Sequence, residues 1–518
     1  MDIGADEEED GEAGRSHLMS QEAAKVARAL HVQVLDRLLA NLDDRSDMIA
    51  AKAQAGFETL VDALARAGGV DLGALGGQVL EIRDSRKGRF VALSSLCRRL
   101  GSRALLAMQP GLVEATLAHM AEDHGSCSSA TLFLQPLLSQ LRQEGCGQEE
   151  WRRIWVRPLI RVLAAAAADE NTLANLANYG VSLAFRLGPE ALADLLSAAG
   201  ELHEASSGGT AAAGHAAAVV AVLKIAKRKG LFDALEQVVG PGCFISESLL
   251  VAALEGRSDS IRIDAMETIC ICNKGSSTPT PLEQRLAVTA VQLQMRYPVA
   301  NYRNKWCMLL RKLLIRTKAG LEANLQRLRK EARGSKLQPK LPPAVTSRTA
   351  SGLPTPPSPL LDQADIVTLQ IFLQVLVRIC LCHVYPGASH ERRFVAYSTL
   401  QTLLELWPLE AESGEEEDTE AGVQPFDPLG RNTLLKASVV RYLLPSLLDS
   451  WTKLRELAMD VLMRLPSPLP GALLFALLLA SWAPQAVLLS WLTWQVSRMP
   501  RPWVRCSTWP PTCFGAHG

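Results

Sequence analysis

A spacing of one arginine and two apolar residues recurs along the second half of the chain and restricts what it can fold into. In each copy an Arg is followed three residues later by Ala or Trp, and seven residues later by Ile or Leu. The copies are Arg262/Ala265/Ile269, Arg303/Trp306/Leu310, Arg393/Ala396/Leu400 and Arg455/Ala458/Leu462. Residues three and seven positions apart lie on one face of an α-helix, whereas the residues on one face of a strand alternate. A helical element that returns every few tens of residues is typical of a stacked helical repeat.

Each copy has the composition expected at a contact between helices. A small residue lets a neighbouring helix approach, and the aliphatic residue that follows fills the space behind it. The Arg lies near the start of its helix, where the helix dipole does not stabilise a cation. We therefore expect the Arg to hydrogen-bond an adjacent repeat, and a contact to a ligand is the alternative.

The composition favours helices packed on helices. Hydrophobic residues make up 48% of the 518 residues but aromatic residues only 5%, and such a core is rich in Leu and Ala and poor in the residues that sheets prefer. Amphipathic periodicity predicts helices up to residue 333 and again from Asp365. The glycine-rich segment Gly68–Gly77 is predicted to be a turn. We predict an all-α fold, an armadillo- or HEAT-like helical-repeat solenoid.

Changes in composition divide the chain into segments. The predicted segments are a disordered acidic N-terminus at 1–16, the helical-repeat solenoid at 17–333, a Pro/Ser/Thr-rich loop or linker at 334–361, further helical repeats at 362–497 with an acidic insert at 408–431, and an irregular tail at 498–518. Proline-rich and acidic stretches of this kind cannot bury a core and are expected to loop out of the stack.

The segment from Pro466 to Ser497 contains no charged residue. A membrane span needs about 20 unbroken apolar residues, and Pro484 interrupts the run before that length is reached. A buried repeat helix is therefore the preferred interpretation, and a membrane anchor is the alternative. The tail that follows lacks the helical pattern and the polar cap of a finished array, which suggests a truncated gene model read through non-coding sequence.

The sequence contains no motif of a known catalytic site. Neither G-x-S-x-G, nor H-E-x-x-H, nor a Walker loop occurs. Two C-x-C pairs are present, Cys270 with Cys272 and Cys380 with Cys382, but zinc pairs prefer two to four intervening residues. We expect a non-catalytic binding protein without cofactor, metal or small-molecule substrate. The acidic first residues do not resemble a secretory signal, so a cytoplasmic location with reduced thiols is predicted.

The strongest electrostatic feature lies between Arg303 and Lys340. Twelve basic residues there face two acidic ones, so the local net charge is near +10 although the whole chain is neutral. The candidate RNA-binding residues are Arg303, Lys305, Arg311, Lys312, Arg316, Lys318, Arg327, Arg329 and Lys330. On a helix, Lys305, Lys312 and Arg316 lie in one narrow stripe, which could follow a phosphate backbone. A solvated helix face with a basic linker is the alternative.

Four segments carry a resemblance to a known family. They read LLVAALEGRSDSIRIDAMETIC, YRNKWCMLLRKLLIR, CLCHVYPGASHERRFVAYSTLQTLLEL and LLDSWTKLRELAMDVLMRLP. In this order, over Ser246–Pro466, they resemble the central helical-repeat region of the thyroid adenoma-associated protein family. That family includes the yeast protein that assists ribose 2'-O-methylation of the tRNA anticodon loop.

The resemblance implies a scaffold that binds tRNA and a separate S-adenosylmethionine-dependent tRNA ribose methyltransferase. It supplies no catalytic residue that could be transferred to this chain. Assigning the basic stripe to tRNA contact is an inference from charge alone. The rival hypothesis is a protein-only HEAT-type adaptor, such as a transport or chaperone scaffold, that does not bind RNA.

Overall fold

The computed structural model describes residues 33–67, 72–82, 87–188, 190–205, 210–275, 277–296, 301–333, 363–409, 428–430, 434 and 442–465. Over these ranges the chain is helical apart from short connections, and their only β-interaction is an isolated bridge between Val239 and Ile245. The chain divides into two compact units, Met1–Ala205 and Ser206–Gly518. The predicted all-α helical-repeat fold is confirmed.

The helices of the first unit are mostly short. Its helices are α1 (33–42), α2 (Asp47–Ala67), α3 (Leu72–Glu81), α4 (Gly88–Leu100), α5 (Ser102–Met108), α6 (Leu112–Glu122), α7 (Cys127–Gln143), α8 (Gln148–Trp151), α9 (Arg157–Ala165), α10 (Glu170–Asn175), α11 (Ser182–Leu187) and α12 (Ala191–Ala205). Single π-helical turns join α8 to α9 and α10 to α11. Helices α4 and α7 pack against each other, and the stacked rings of Phe90 and Phe133 lie in their contact with centroids 6.3 Å apart.

Two glycines of the first unit have different structural roles. Gly101 has a φ of 87° and separates α4 from α5, a backbone conformation that glycine adopts without steric cost. The predicted turn at Gly68–Gly77 is wrong from Leu72 onward, because α3 begins there. A Cβ at Gly76 would lie 3.2 Å from the Met108 sulfur. This glycine therefore serves close packing between helices and does not mark a turn.

The second unit is built from longer helices in two layers. They are α13 (Thr210–Arg228), α14 (Glu247–Glu255), α15 (Asp259–Cys270), α16 (Pro281–Arg296), α17 (Arg303–Arg333), α18 (Gln363–His383), α19 (His390–Leu406) and α20 (Thr452–Met463). Helices α13, α15, α17, α19 and α20 pack side by side in one layer, and α14, α16 and α18 form the other. Helices α17 and α19 begin at the edge of the unit where α16 and α18 end, since Arg303 pairs with Glu391 and Arg392 donates to the Arg296 carbonyl. We call this edge the α19 edge.

Helix α18 is the one described helix that is long and apolar enough to cross a membrane, over Ala364–His383 with a mean hydropathy of 1.9. Leu369, Phe372, Leu373 and Leu376 are nevertheless buried, in a helix that packs on α16 and α19. Val367 and Ile371 are about half exposed, so α18 has one buried and one exposed face, as expected for a helix in a helical repeat. The apolar segment 466–497 and the tail 498–518 lie outside the described residues, as does most of the two inserts, so the predicted segment boundaries stay predictions.

Candidate nucleic-acid interface on helix α17

Helix α17 carries the candidate RNA-binding residues, and its sequence period determines which of them reach solvent. Trp306, Leu310, Leu313 and Leu314 are buried against the neighbouring helices. Their spacing of three and four residues places one continuous apolar face in the layer contact. Cations that lie on the edges of this face meet side chains from α15 and α19, whereas cations opposite to it point to solvent.

Arg303 is held at the α19 edge by three groups from the next repeat. Its guanidinium forms an ion pair with Glu391 and lies 4.4 Å from the ring centroid of Phe394 and 5.2 Å from that of Trp451. The ion pair and the attraction of the guanidinium to the two aromatic rings stabilise the side chain in this position. Arg303 therefore links α17 to α19 and to the segment before α20.

Lys305 and Arg311 belong to a series of ion pairs that crosses the layer. Asp264 on α15 lies 2.6 Å from Lys224 Nζ on α13 and 3.8 Å from Lys305 Nζ. Glu405 on α19 contacts Arg311 at 2.7 Å and Arg464, just after α20, at 3.2 Å. Each of these carboxylates is thus shared by cations from the helices on its two sides. We call this series the ion-pair ladder.

Arg316 does not lie on an exposed stripe as predicted, and the structure does not support it as a phosphate contact. Its side chain is 5% exposed and forms an ion pair with Glu283 on α16, which is 1% exposed. Glu283 also accepts a hydrogen bond from the buried Lys227 on α13 at 2.8 Å. Burial by itself would raise the pKa of Glu283, but the adjacent Lys227 and Arg316 outweigh it and hold that pKa below its usual value.

The other candidates differ in how exposed they are. Lys312 is exposed, and Lys318 is one-third exposed and lies 3.7 Å from Glu322. Arg327 is half-buried. Arg329 and Lys330 continue the helix, and their side chains lie outside the described part of the structure. Of the nine candidates, Arg311 and Lys312 are therefore the ones that the described structure leaves most open to a partner.

Each copy of the recurring spacing begins with an Arg that was predicted to hydrogen-bond an adjacent repeat. This prediction is confirmed for two of the four arginines. Arg303 reaches Glu391, and Arg393 forms a buried ion pair with Asp449, which precedes α20. Arg262 instead pairs with Asp259 within its own helix, and Arg455 donates to nearby backbone carbonyls. The spacing indicates the position of the Arg near a helix start, but its partner depends on which acidic residue the next repeat provides.

The cysteines of the C-x-C pairs are divided between core and surface. Cys270 and Cys380 are buried, whereas Cys272 and Cys382 are partly exposed. Burial raises the pKa of the Cys270 thiol to about 12 and raises that of Cys380 further. The described ranges contain no group of three or more His, Cys, Asp or Glu side chains able to hold a metal ion.

Comparison with known proteins identifies relatives. The chain is 21% identical over 386 residues to the tRNA (32-2'-O)-methyltransferase regulator THADA of Gallus gallus, and the match covers 73% of this chain and 18% of that protein. It is 22% identical over 391 residues to the protein of the same name from Canis lupus familiaris, with the same coverage of each. This chain thus spans less than a fifth of the length of these relatives.

Among solved structures, the crystal structure of an engineered protein matches 84% of this chain and 99% of its own at 14% identity, with a TM-score of 0.26. The family described as Trm732, TPR repeats matches residues 151–456, which is more than half of the chain and includes most of the repeats of the second unit. The chain therefore belongs to the Trm732 TPR-repeat family.

Proposed function

We propose that this chain is a non-catalytic helical-repeat scaffold that assists ribose 2'-O-methylation of the tRNA anticodon loop in the cytoplasm. It does so by binding tRNA and a partner S-adenosylmethionine-dependent methyltransferase. The observation that carries the proposal is family membership, because the relatives are named regulators of the tRNA (32-2'-O)-methyltransferase. A scaffold of stacked helices fits this role, since it offers an extended surface to more than one partner.

The exposed cations of α17 support tRNA contact on this surface. Arg311, Lys312 and Lys318 lie within two helical turns, and the first two are exposed. Such a group can bind phosphates without reading bases, which suits recognition by shape. The ion-pair ladder, to which Arg311 belongs, reduces the net charge of the layer, so Lys312 and Lys318 would carry most of the attraction.

Exchanging Lys312 and Lys318 for Glu is expected to weaken tRNA binding through lost phosphate contacts. Each lost contact should lower the slope of log Kd against log salt by about 0.7 to 0.9, and at 0.1 M salt this is about a fivefold loss of affinity per contact. Fluorescence anisotropy with labelled tRNA over a salt series measures both quantities. The matched control exchanges Lys52, an exposed lysine of α2, for Glu and should leave the slope unchanged. A double variant that binds like the unaltered protein would remove α17 from the interface.

The protein-only adaptor remains the second candidate because of two exposed apolar side chains. Met308 and Ile315 are each 46% exposed on α17, on the same side as Lys312. Exposed apolar residues between charges are typical of surfaces that bind proteins. Purification of the chain with its bound partners distinguishes the two functions. Recovery of a methyltransferase together with tRNA supports the proposal, and salt-insensitive recovery of protein alone supports the adaptor.

A further inference from the structure

Three positively charged or protonatable side chains meet at the α19 edge, outside the basic stretch of α17. Arg296 is the last residue of α16, His383 is the last residue of α18, and Arg392 lies in the first turn of α19. The Arg392 guanidinium donates a hydrogen bond to the Arg296 backbone carbonyl at 2.6 Å. We call these three residues the edge cluster.

Carboxylates that could neutralise the edge cluster are engaged elsewhere. Glu391 pairs with Arg303, and Asp449 pairs with Arg393. Within the described ranges neither Arg296 nor Arg392 forms an ion pair. The Nε of Arg392 and the Nδ1 of His383 are buried without a hydrogen-bond partner there.

Like charges held together at a partly buried site raise the free energy of the charged forms. His383 shows the effect: burial lowers its pKa, and the positive charges of Arg392 and then Arg296 lower it further. An anion bound among the three side chains would relieve the repulsion and provide the missing hydrogen-bond acceptors. One Arg392 nitrogen already donates to the Arg296 carbonyl, so the groups left for an anion are the Arg392 Nε, the His383 ring and the Arg296 guanidinium.

We propose that the edge cluster binds a phosphate of the tRNA backbone. This inference rests on the proposed function and places a tRNA contact outside the nine candidate residues of α17. The planar fork of an arginine matches two phosphate oxygens, and α19 begins at the same edge, where Ser389 already caps the Arg392 N–H. Tyr385, two residues after His383, is 40% exposed and offers a ring on which an unpaired base can stack, which favours RNA over an acidic protein.

Replacing Arg296 and Arg392 by Ala is expected to lower the salt slope of tRNA binding by about 0.7 to 0.9, because the one phosphate contact of the edge cluster is lost. Lys229 is an exposed residue that follows the end of α13, so Lys229→Ala removes a positive charge away from the cluster and should not change the slope. If the unaltered protein binds tRNA and the double variant binds it with equal affinity and slope, the edge cluster is not a tRNA site, and the proposed function is unaffected. Unaltered protein that does not bind tRNA would overturn both. If the double variant loses methyltransferase binding but still binds tRNA, the cluster contacts a protein partner and is not an RNA site.

A second measurement does not depend on how the variants fold. Titration of the His383 ring by NMR in the unaltered protein should give a higher pKa with tRNA bound than without it, since a phosphate among Arg296, Arg392 and His383 favours the protonated ring. A His383 pKa that tRNA does not change would contradict the proposal. Circular dichroism melting of the double variant shows whether its loss of binding reflects loss of fold.

Discussion

Replacing Glu283 by Gln is expected to destabilise the second unit by about 3 to 5 kcal/mol, the usual loss when one member of a buried ion pair is removed. Glu283 lies between Lys227 and Arg316, and the three side chains are 1%, 2% and 5% exposed, respectively. The isosteric amide keeps the volume but leaves two buried cations without an opposing charge. Since these residues belong to α13, α16 and α17, the variant should loosen the contacts among three helices.

Urea denaturation followed by circular dichroism measures this loss. The matched control is Glu322→Gln on the same helix as Arg316, because Glu322 is 58% exposed and pairs with Lys318 at 3.7 Å. Surface pairs of this kind contribute about 1 kcal/mol or less. Equal stability of the Glu283→Gln and Glu322→Gln variants would show that the buried charges are compensated in some other way.

The acid sensitivity of the protein should change in the same variant. The pKa of Glu283 is lowered in the folded protein, so its contribution to stability is fully present above the unfolded carboxyl pKa of about 4.3. That contribution is lost as the pH falls from this value through the lower folded pKa. Denaturation curves between about pH 5 and pH 2 should therefore fall less steeply for Glu283→Gln than for the unaltered protein.

The regular part of the fold was predictable from the sequence because it depends on local periodicity. The helix at Asp47–Ala67 and those of the second unit follow from apolar residues three and four apart, which mark a buried helix face wherever that face packs. The turn predicted after Gly68 was wrong from Leu72 onward, because glycine favours turns locally but also allows close helix contacts such as that of Gly76 with Met108. Only the position of α5 in space distinguishes the two roles.

The electrostatic prediction was less successful because charge was counted along the chain. Most acidic partners of α17 come from other helices: Asp264 and Glu283 precede it, and Glu391 and Glu405 follow it. A stretch that carries a local charge near +10 thus contributes much of its charge to contacts between repeats. The edge cluster was not predictable for the same reason, since Arg296 lies 96 residues before Arg392 and only the packing of α16 against α19 brings them together.

Replacing Asp449 by Asn is expected to cost about 3 kcal/mol and to release α20 from α19. Asp449 is 6% exposed in its side chain and forms an ion pair with the buried Arg393. It also lies 3.2 Å from His390 Nδ1 and accepts the backbone N–H of Trp451 at 2.9 Å. The amide preserves the acceptor for that N–H but removes the charge that compensates Arg393, and an uncompensated buried charge accounts for most of the loss.

Hydrogen exchange measures the loss of stability in Asp449→Asn and shows in which part of the chain it occurs. Peptides from 442–465 should exchange faster in Asp449→Asn, because the contact between α19 and α20 opens more often. Asp460→Asn is the control, since Asp460 on α20 is exposed and accepts a hydrogen bond from Gln401 at 2.6 Å. Adding Arg393→Met to Asp449→Asn should restore at least half of the lost stability, because it removes the unpaired charge while keeping an apolar side chain in its place. If the second substitution instead adds a further full loss, the Arg393 side chain stabilises the repeat through its packing, and the ion pair to the next repeat is not what holds α20 in place.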